Sequence, residues 1–301
     1  MDGAGRRFDA SARLFGADGV GSLAAAHVVV VGVGGVGSWA AEGLVRSGVG
    51  RVTMIDLDHV AESNINRQVH ALESTVGAAK VDVMARRLRD IAPGARIDAV
   101  EEFVTVDNVA ALVPADADVV IDAIDKVPSK AAMVALCVAR GQAVVVCGGA
   151  GGRRDPLRLR RTDLTLATAD AMLSTLRLRL RRRHGFPLAP GGSKKAPPFG
   201  VQAIWSDEPS AGGAPGATID TKGANAPLAC AGYGSLVAVT ASMGFAAAQA
   251  AIEHVLAGPR AGIAAAGACA SDGVACKAPS ARVAVRTAYG GVPAAQRGAG
   301  A

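Results

Sequence analysis

The stretch HVVVVGVGGVGSWAAEGLV, which runs from His27 to Val45, decides the fold of this chain. The run of four valines at 28–31 predicts a short buried strand, the glycines end that strand, and the segment from Ser38 onward has a helical composition. A second apolar run, Val52–Ile55, is followed by Asp56. A strand, a glycine turn, a helix and a second strand, in this order, are typical of a βαβ unit with parallel strands.

The same alternation of strands and helices continues to about residue 150. The further elements are apolar runs and helical segments bounded by glycine, proline or acidic residues: helices at 76–92 and 130–140, and strands at 97–100, 119–121 and 144–147. Such alternation favours a parallel sheet that is covered on both faces. We therefore predict an α/β protein with a Rossmann-like, mostly parallel sheet, helices on both faces, and a smaller C-terminal extension.

The pattern weakens after residue 152. A strand is predicted at 156–161. A helix is predicted at 170–183, because Asp170 is a suitable N-cap and Gly185 lies just past the expected end.

Two later segments have unusual compositions. The apolar stretch 236–256 approaches the length of a membrane span, but small residues and three polar residues interrupt it. We expect a buried or interface helix there, with peripheral membrane contact as the alternative. The stretch 259–301 is rich in alanine and glycine, and its composition predicts a flexible tail.

The overall composition is that of a globular protein from a reducing compartment. Half of the 301 residues are hydrophobic and 19% are charged, which excludes a disordered chain. The five cysteines form no Cys-x-x-Cys pair, so neither a disulfide framework nor a four-cysteine structural zinc site is expected. No apolar signal segment opens the chain, and we expect a cytoplasmic protein.

The glycine turn after the first strand predicts a nucleotide phosphate site. Small residues let the backbone approach a phosphate, and the N-terminus of the following helix favours negative charge. Asp56 ends the next strand, where an acid can accept hydrogen bonds from ribose hydroxyls. A tight turn without a ligand is the alternative, and the pattern does not separate ATP from NAD or FAD. The glycines assigned to this site are Gly32, Gly34, Gly35 and Gly37.

The segment after this acid favours a triphosphate. An adenylating site must hold a triphosphate and stabilise charge as pyrophosphate leaves, and Arg67 and Lys80 carry suitable groups. Asn64 and Asn66 can orient phosphate or metal-bound water, and Asp58 belongs to the same segment. A polar surface loop would be the alternative, but the position directly after the ribose acid favours function.

Two more acids follow the strand at 119–121, and they are Asp122 and Asp125. Open α/β sheets bind ligands beyond the carboxyl ends of their strands, so both acids are candidates for cofactor binding. A carboxylate there can hold Mg²⁺ against phosphate oxygens. We assign the metal to Asp125, with ordinary loop acids as the alternative.

Together these motifs resemble the superfamily of ubiquitin-activating enzymes and the bacterial adenylyltransferases of molybdopterin and thiamine synthesis. The resemblance implies ATP and Mg²⁺ as cofactors. It implies that Asp56 holds ribose, and that Asp125 holds Mg²⁺. The residues that it assigns to the phosphates are Asn64, Arg67 and Lys80. The catalytic residues would then be Arg67, Lys80 and Asp125.

Four further motifs are similar to the tRNA threonylcarbamoyladenosine dehydratase family within that superfamily. The resemblance covers about residues 6–256. The motifs are RLFG from Arg13 to Gly16, NRQVHAL from Asn66 to Leu72, GGAGGRRDP from Gly148 to Pro156, and CAGYGS from Cys230 to Ser235. Many superfamily members carry an arginine where this chain has Ala10, so Arg13 is only a candidate to act across a dimer.

The resemblance implies a reaction on tRNA that carries threonylcarbamoyladenosine. ATP would activate the threonyl carboxylate as an acyl-adenylate, and the carbamoyl group of the same side chain would then close a ring and release AMP. An intramolecular nucleophile benefits from proximity, so no enzyme thiol is required. Cys230 is either a nucleophile or, as we favour, a small residue in a glycine-rich turn.

The family also implies an organisation for the chain. We expect an ATP-binding adenylation domain at 1–150, a second half at 151–258 that completes the active site and contacts tRNA, and the tail at 259–301. A homodimer is expected, and a sulfur-relay partner protein is conceivable. The alternatives are an activator of a ubiquitin-like sulfur-carrier protein, a nicotinamide oxidoreductase and a non-catalytic RNA-binding module. The missing cysteine pairs argue against the first, and Arg67 with Lys80 against the second.

A basic segment in the second half predicts contact with RNA. The formal net charge is +6, and this part of the chain carries a large share of the excess. Arginines along one helix attract phosphates through counterion release. A solvated basic face is the alternative. The predicted tRNA-binding residues are Arg177, Arg179, Arg181, Arg182 and Arg183.

Overall fold

The computed structural model describes residues 6–188, 197–210 and 234–258. The predicted tail at 259–301 and Cys230 lie outside the described residues. The strands are β1 His27–Val31, β2 Arg51–Ile55, β3 Arg96–Val100, β4 Val119–Asp122, β5 Ala143–Cys147, β6 Leu159–Asp163 and β7 Gln202–Ser206. The helices are α1 Asp9–Ala25, α2 Gly37–Arg46, α3 Lys80–Ile91, α4 Val109–Leu112, α5 Val127–Arg140, α6 Ala171–His184 and α7 Val237–Leu256.

The strands form one seven-stranded sheet in the order β3-β2-β1-β4-β5-β7-β6. Neighbouring strands are parallel except β6 and β7, which are antiparallel. The strand order changes direction between β1 and β4, and open α/β sheets bind ligands at such a switch point. The predicted α/β class with a mostly parallel sheet is confirmed. The sheet continues across residue 150, so the two predicted segments 1–150 and 151–258 share it.

The valine run of β1 is buried on both sides because helices cover both faces of the sheet. Val28 and Val30 belong to a core that includes side chains of α2, α3 and α7. Val29 and Val31 belong to a second core, which includes side chains of α5 and α6. All four side chains are at most 1% exposed, and burial of each contributes about 1.5–3 kcal/mol.

Three predicted boundaries are wrong. The helix predicted at 130–140 begins three residues earlier, at Val127, with Pro128 in its first turn. The other two are wrong for local reasons. The helix predicted at 76–92 begins only at Lys80, because Gly77 has a φ of +87°, which a right-handed helix does not contain. The strand predicted at 156–161 begins at Leu159, because Pro156–Arg158 forms a 3₁₀ turn that Asp155 caps. The strand β7 and the short helix α4 were not predicted.

The ends of α5 and α6 follow their predicted signals. Asp170 accepts a hydrogen bond from the backbone N–H of Leu173 at 2.8 Å and caps α6. Gly185 ends α6 and Gly141 ends α5, each with a positive φ near 70°. These left-handed glycines close both helices, as the sequence indicates.

The helix α7 occupies the predicted buried position. It packs against α2 so closely that a Cβ at Gly244 would lie 2.5 Å from the carbonyl oxygen of Val36. On the other helix, a Cβ at Gly43 would lie 3.1 Å from the ring of Phe245. Among the described helices, none has the length and apolar character needed to cross a membrane.

Candidate active site

A cavity opens beyond the carboxyl ends of the central parallel strands. It is bounded by the glycine turn after β1, the end of β2, the loop after β4 and the loop after β5. The predicted site residues that line it are Gly32, Gly34, Gly35, Asp56, Asp58, Asn64, Arg67, Lys80 and Asp125. The structure therefore brings most of the predicted residues to one place, although they are spread over more than ninety positions.

Asp56 joins the end of β2 to the glycine turn. One of its carboxylate oxygens accepts the backbone N–H of Val33 at 2.6 Å, and the other accepts the backbone N–H of Asp58 at 2.8 Å. Burial raises the pKa of Asp56 above its usual value, although these hydrogen bonds and nearby Lys80 oppose the shift. Asp56 thus fixes the turn while its side chain borders the cavity.

The glycines of the turn have two different roles. A Cβ at Gly37 would lie 1.8 Å from the carbonyl oxygen of Gly32, so no side chain fits there. Gly37 does not line the cavity, and its predicted role in cofactor binding is corrected to one in backbone packing. At Gly34, by contrast, the nearest atom to an added Cβ is Nε2 of Gln68 at 3.9 Å, so the space is open toward the cavity.

Two basic side chains border the cavity on the segment after Asp56. Lys80 is the first residue of α3, and its Nζ donates to Oδ2 of Asp58 at 2.7 Å. Arg67 donates through Nη1 to the carbonyl oxygen of Ser63 at 2.6 Å and to Oδ1 of Asn66 at 3.0 Å. Both residues line the same cavity as the glycine turn.

The two predicted asparagines are placed differently. Asn64 is buried, lines the cavity, and accepts the backbone N–H of Ala61 at 3.2 Å. Asn66 is exposed and does not line the cavity. Its side chain donates to the carbonyl oxygen of Ser235 at 3.0 Å, so its predicted direct contact with a cofactor is corrected to support of Arg67.

Asp122, the last residue of β4, and Asp125, in the loop that follows, point to different environments. Asp125 lines the cavity and is half-buried. Asp122 is fully buried and forms an ion pair with Lys130 at 2.9 Å. Burial raises the pKa of Asp122 to about 6, although Lys130 opposes the shift. The predicted cofactor contact of Asp122 is therefore corrected, because its carboxylate faces the core and not the cavity.

The far wall of the cavity is formed by the loop after β5, from Gly148 to Gly151, with Met172 of α6. Asp170 holds this wall, because its Oδ2 accepts the backbone N–H of Gly149 at 2.8 Å. Arg153 is 4% exposed and donates to carbonyl oxygens on three segments of the chain. Those acceptors are Gly149, Ser206, Glu208 and Ala169.

Several residues of the cavity were missed at the level of sequence. Gln68 is 5% exposed, lines the cavity, and its Oε1 has no protein partner among the described residues. Its signal was its place in the NRQ motif beside Arg67. Met172, Phe103 and Thr240 also line the cavity, and no local pattern distinguishes them from core or loop residues.

The predicted tRNA-binding arginines divide into two groups. Arg177 donates to the carbonyl oxygen of Ala167 at 2.6 Å, and Arg181 lies over the ring of Phe199 at 5.2 Å. These contacts anchor α6 to its surroundings, and the role of both arginines in RNA contact stays a prediction. Arg179 is half-buried, whereas Arg182 and Arg183 are exposed.

Other basic residues close to this helix in sequence are engaged with acids. Arg158 and Arg160 both pair with Asp207 at 2.7 Å. Arg161 pairs with Glu253 at 2.5 Å. The positive field of this region is therefore smaller than the count of arginines indicates, because these pairs neutralise part of it.

One remaining candidate, Arg13, and the two cysteines of the described residues do not join the cavity of their own chain. Arg13 is exposed on α1 and does not line it. Cys137 and Cys147 are buried in the core, and burial raises the pKa of each thiol to about 12. Neither thiol is therefore a ready nucleophile near neutral pH.

With this geometry established, comparison with known proteins identifies relatives. Residues 8–164 match the ThiF family. The tRNA threonylcarbamoyladenosine dehydratase of Escherichia coli (strain K12) is 41% identical over 257 residues, which cover 84% of this chain and 94% of that protein. The protein of the same name from Haemophilus influenzae (strain ATCC 51907 / DSM 11121 / KW20 / Rd) is 35% identical over 85% of this chain and 95% of that protein.

A solved structure of the E. coli relative is also similar to this chain. A crystal structure of E. coli tRNA N6-threonylcarbamoyladenosine dehydratase in complex with ATP matches with a TM-score of 0.75 and 40% identity, over 85% of this chain and 96% of that one. The chain therefore belongs to the ThiF family. Its similarity to whole relatives places it, within that family, among the tRNA threonylcarbamoyladenosine dehydratases.

Proposed function

We propose that this chain is an ATP-dependent enzyme that dehydrates threonylcarbamoyladenosine in tRNA by adenylating its carboxylate. The observation that carries the proposal is the convergence of Arg67, Lys80 and Asp125 on the cavity above the glycine turn. This chain matches almost the whole length of two relatives that are named tRNA threonylcarbamoyladenosine dehydratase. The relative from E. coli has been crystallised with ATP.

The strand order supports one orientation for ATP. In an open α/β sheet the phosphates lie on the first glycine turn, and the ribose lies near the acid after the next strand. Here those features are Gly34 after β1 and Asp56 after β2. The phosphates would then extend toward Arg67, Lys80 and Asp125. The wall from Gly148 to Gly151 would lie on the side from which the threonyl carboxylate of the tRNA approaches ATP.

The residues present fit Mg²⁺ bound together with ATP. Among the described residues, no group of three or more His, Cys, Asp or Glu side chains could hold a metal by itself. Mg²⁺ is usually bound by one or two carboxylates together with substrate phosphates, and Asp125 offers such a carboxylate at the cavity. When bound, the ion would neutralise charge on the phosphates as pyrophosphate forms.

The proposed reaction conserves all atoms. The threonyl carboxylate attacks the α-phosphorus of ATP and displaces pyrophosphate, while Arg67 and Lys80 stabilise the negative charge that develops. The carbamoyl group of the same substrate then attacks the activated carbonyl carbon. AMP leaves with one oxygen of the former carboxylate, and the carbamoyl group releases its proton to solvent, so the nucleoside loses one water in total. The attacking group is tethered in the substrate, which supplies the proximity that the second step needs.

The remaining expectations belong to the same proposal. The half of the chain at 151–258 would contact tRNA through Arg182 and Arg183, both of which are exposed. A homodimer, in which Arg13 reaches the cavity of the partner subunit, would complete the site. A sulfur-relay partner and a cytoplasmic location complete the proposal.

The test uses purified protein, tRNA that carries threonylcarbamoyladenosine, and ATP labelled in the α-phosphate. We expect AMP to form in proportion to a nucleoside that is one water lighter, as measured by mass spectrometry of digested tRNA. AMP formation on a protein ending in Gly-Gly, without any change in tRNA, would support the sulfur-carrier alternative instead. Binding of tRNA without any ATP turnover would overturn the proposal.

A further inference from the structure

A buried lysine that the proposed reaction does not use lies under the loop after β4. Lys130 of α5 is 0% exposed. Its Nζ contacts Oδ1 of Asp122 at 2.9 Å, the carbonyl oxygen of Asp122 at 3.2 Å and that of Ile124 at 3.0 Å. An ammonium group has three donors, and these three acceptors match them in number.

This arrangement is costly as a way to build a core. Removing two charges from water costs several kcal/mol for each ion, and well-packed apolar residues of similar volume are often equally stable or more stable. The rest of α5 offers such residues, for example the fully buried Met133. A charge retained at this position therefore calls for a reason other than stability.

The location of the contacts supplies that reason. The loop that Lys130 holds joins β4 to α5, and it carries Asp125 at the cavity. On its other side the loop lies against the glycine turn, since a Cβ at Gly32 would be 2.9 Å from the carbonyl oxygen of Ala123. Lys130 binds the carbonyl of Ile124, the residue directly before Asp125. The lysine thus fixes the backbone from which the Asp125 carboxylate projects.

We infer that Lys130, through its bonds to Asp122 and to the carbonyl oxygen of Ile124, is the positioning residue that sets the Asp125 carboxylate against the phosphates of bound ATP. The inference rests on the proposed function, because it assumes that Asp125 acts together with Mg²⁺ on ATP. It predicts that Lys130 has no effect of its own on ATP and acts only by way of Asp125.

The primary test is a binding cycle that requires no turnover. The affinity for ATP is measured by calorimetry with and without Mg²⁺ for wild type, Asp125→Asn, Lys130→Met and the double variant. We expect Asp125→Asn to abolish most of the gain in affinity that Mg²⁺ provides, and Lys130→Met to lower it to the same level. The double variant should lose nothing further, because coupled residues are not additive. Additive losses would overturn the inference.

Folding is controlled in two ways. Asp122→Asn/Lys130→Met removes both buried charges, so its melting temperature should be higher than that of Lys130→Met alone. The gain in ATP affinity from Mg²⁺ should nevertheless stay low. Met133→Ala, a substitution of a fully buried residue on the same helix, should lower the melting temperature and leave the Mg²⁺ gain at the wild-type value. If the Mg²⁺ gain returns together with the melting temperature in Asp122→Asn/Lys130→Met, Lys130 is only structural. The same conclusion follows if the Mg²⁺ gain falls in Met133→Ala.

A kinetic readout accompanies the cycle. In Lys130→Met the kcat for AMP formation should fall about 10- to 100-fold, because small misplacement of a reacting group has effects of that size. The KM for tRNA should remain at the wild-type value. If Asp125→Asn lowers the Mg²⁺ gain and Lys130→Met does not, the inference fails and the proposed function stands. If neither variant changes it, the metal role of Asp125 fails as well.

Discussion

Lys80 and Asp58 form an ion pair in which only the cation is shielded from water. Their side-chain atoms are 2.7 Å apart, and the side chains are 6% and 52% exposed, respectively. Because Asp58 is 52% exposed, solvent screens its attraction to Lys80, so the pair contributes little to stability. The pair instead holds the ammonium group of Lys80 at the edge of the cavity.

Lys80→Ala should therefore abolish AMP formation and leave the fold intact. The loss of a positioned charge at the phosphates is expected to lower kcat by about 100-fold or more. The measurement is AMP release by chromatography, with a circular dichroism melt for the fold. Asp58→Asn is the matched control, and its effect should be smaller because Lys80 remains. AMP release at the wild-type rate in Lys80→Ala would mean that the phosphate site lies elsewhere.

Gly34→Ala and Gly37→Ala should separate binding from folding within one turn. At Gly34 an added methyl group has room and points toward the cavity, so the variant should fold and bind ATP more weakly. At Gly37 the methyl group would overlap the carbonyl oxygen of Gly32, so the variant should unfold at lower temperature or fail to fold. Thermal melts and ATP calorimetry distinguish the two. Equal melting temperatures would contradict the role assigned to Gly37.

The stability of the protein should fall on acidification because of His70. This ring is 1% exposed, neither of its nitrogens has a protein partner among the described residues, and burial, with Lys80 and Arg87 nearby, lowers its pKa to about 4. The unfolded chain takes up a proton below pH 6.5, whereas the folded protein does so only near pH 4. Stability contributed by the neutral ring is thus lost as pH falls through this window, by up to about 3 kcal/mol.

The check for His70 is a series of denaturant melts between pH 7.5 and about pH 4, in wild type and His70→Leu. The difference in unfolding free energy between the two proteins should change across the window, because leucine takes up no proton. A difference that stays constant with pH would show that His70 is not the titrating group.

Arg182 and Arg183 should contribute to tRNA affinity through charge alone. The measured quantity is the slope of the logarithm of the tRNA binding constant against the logarithm of the salt concentration. In Arg182→Ala/Arg183→Ala this slope should become shallower by about one unit for each RNA phosphate that the protein no longer neutralises. The KM for ATP should not change. The matched control is Arg160→Ala/Arg161→Ala, which removes the same charge from residues already paired with Asp207 and Glu253. Equal losses in both variants would indicate only a general effect of net charge.

The parts of the site that depend on strand order were predictable from sequence. Asp56 and the glycine turn follow adjacent parallel strands, and the rule that such strand ends share one edge places them together. The caps of α6 were predictable for a similar reason, because Asp170 and Gly185 act on neighbouring backbone groups. In each case the relevant physics is local or follows from topology.

The direction of a side chain was not predictable in the same way. Asp122 and Asp125 are three residues apart, yet one pairs with Lys130 in the core and the other borders the cavity. The difference depends on a lysine on the following helix, which sequence spacing does not reveal. Likewise, Arg177 and Arg182 look equivalent in the basic segment, but only Arg177 meets the carbonyl of Ala167. Tertiary contacts decide both outcomes.

The antiparallel strand β6 forms one border of the sheet, and its backbone could in principle recruit a strand from another molecule. Its exposed positions 160 and 161 are both arginines, held by acids on neighbouring elements. Charged side chains on a sheet border discourage intermolecular strand addition. We therefore expect Arg160 and Arg161 to disfavour pairing of β6 with a strand of another molecule at high protein concentration.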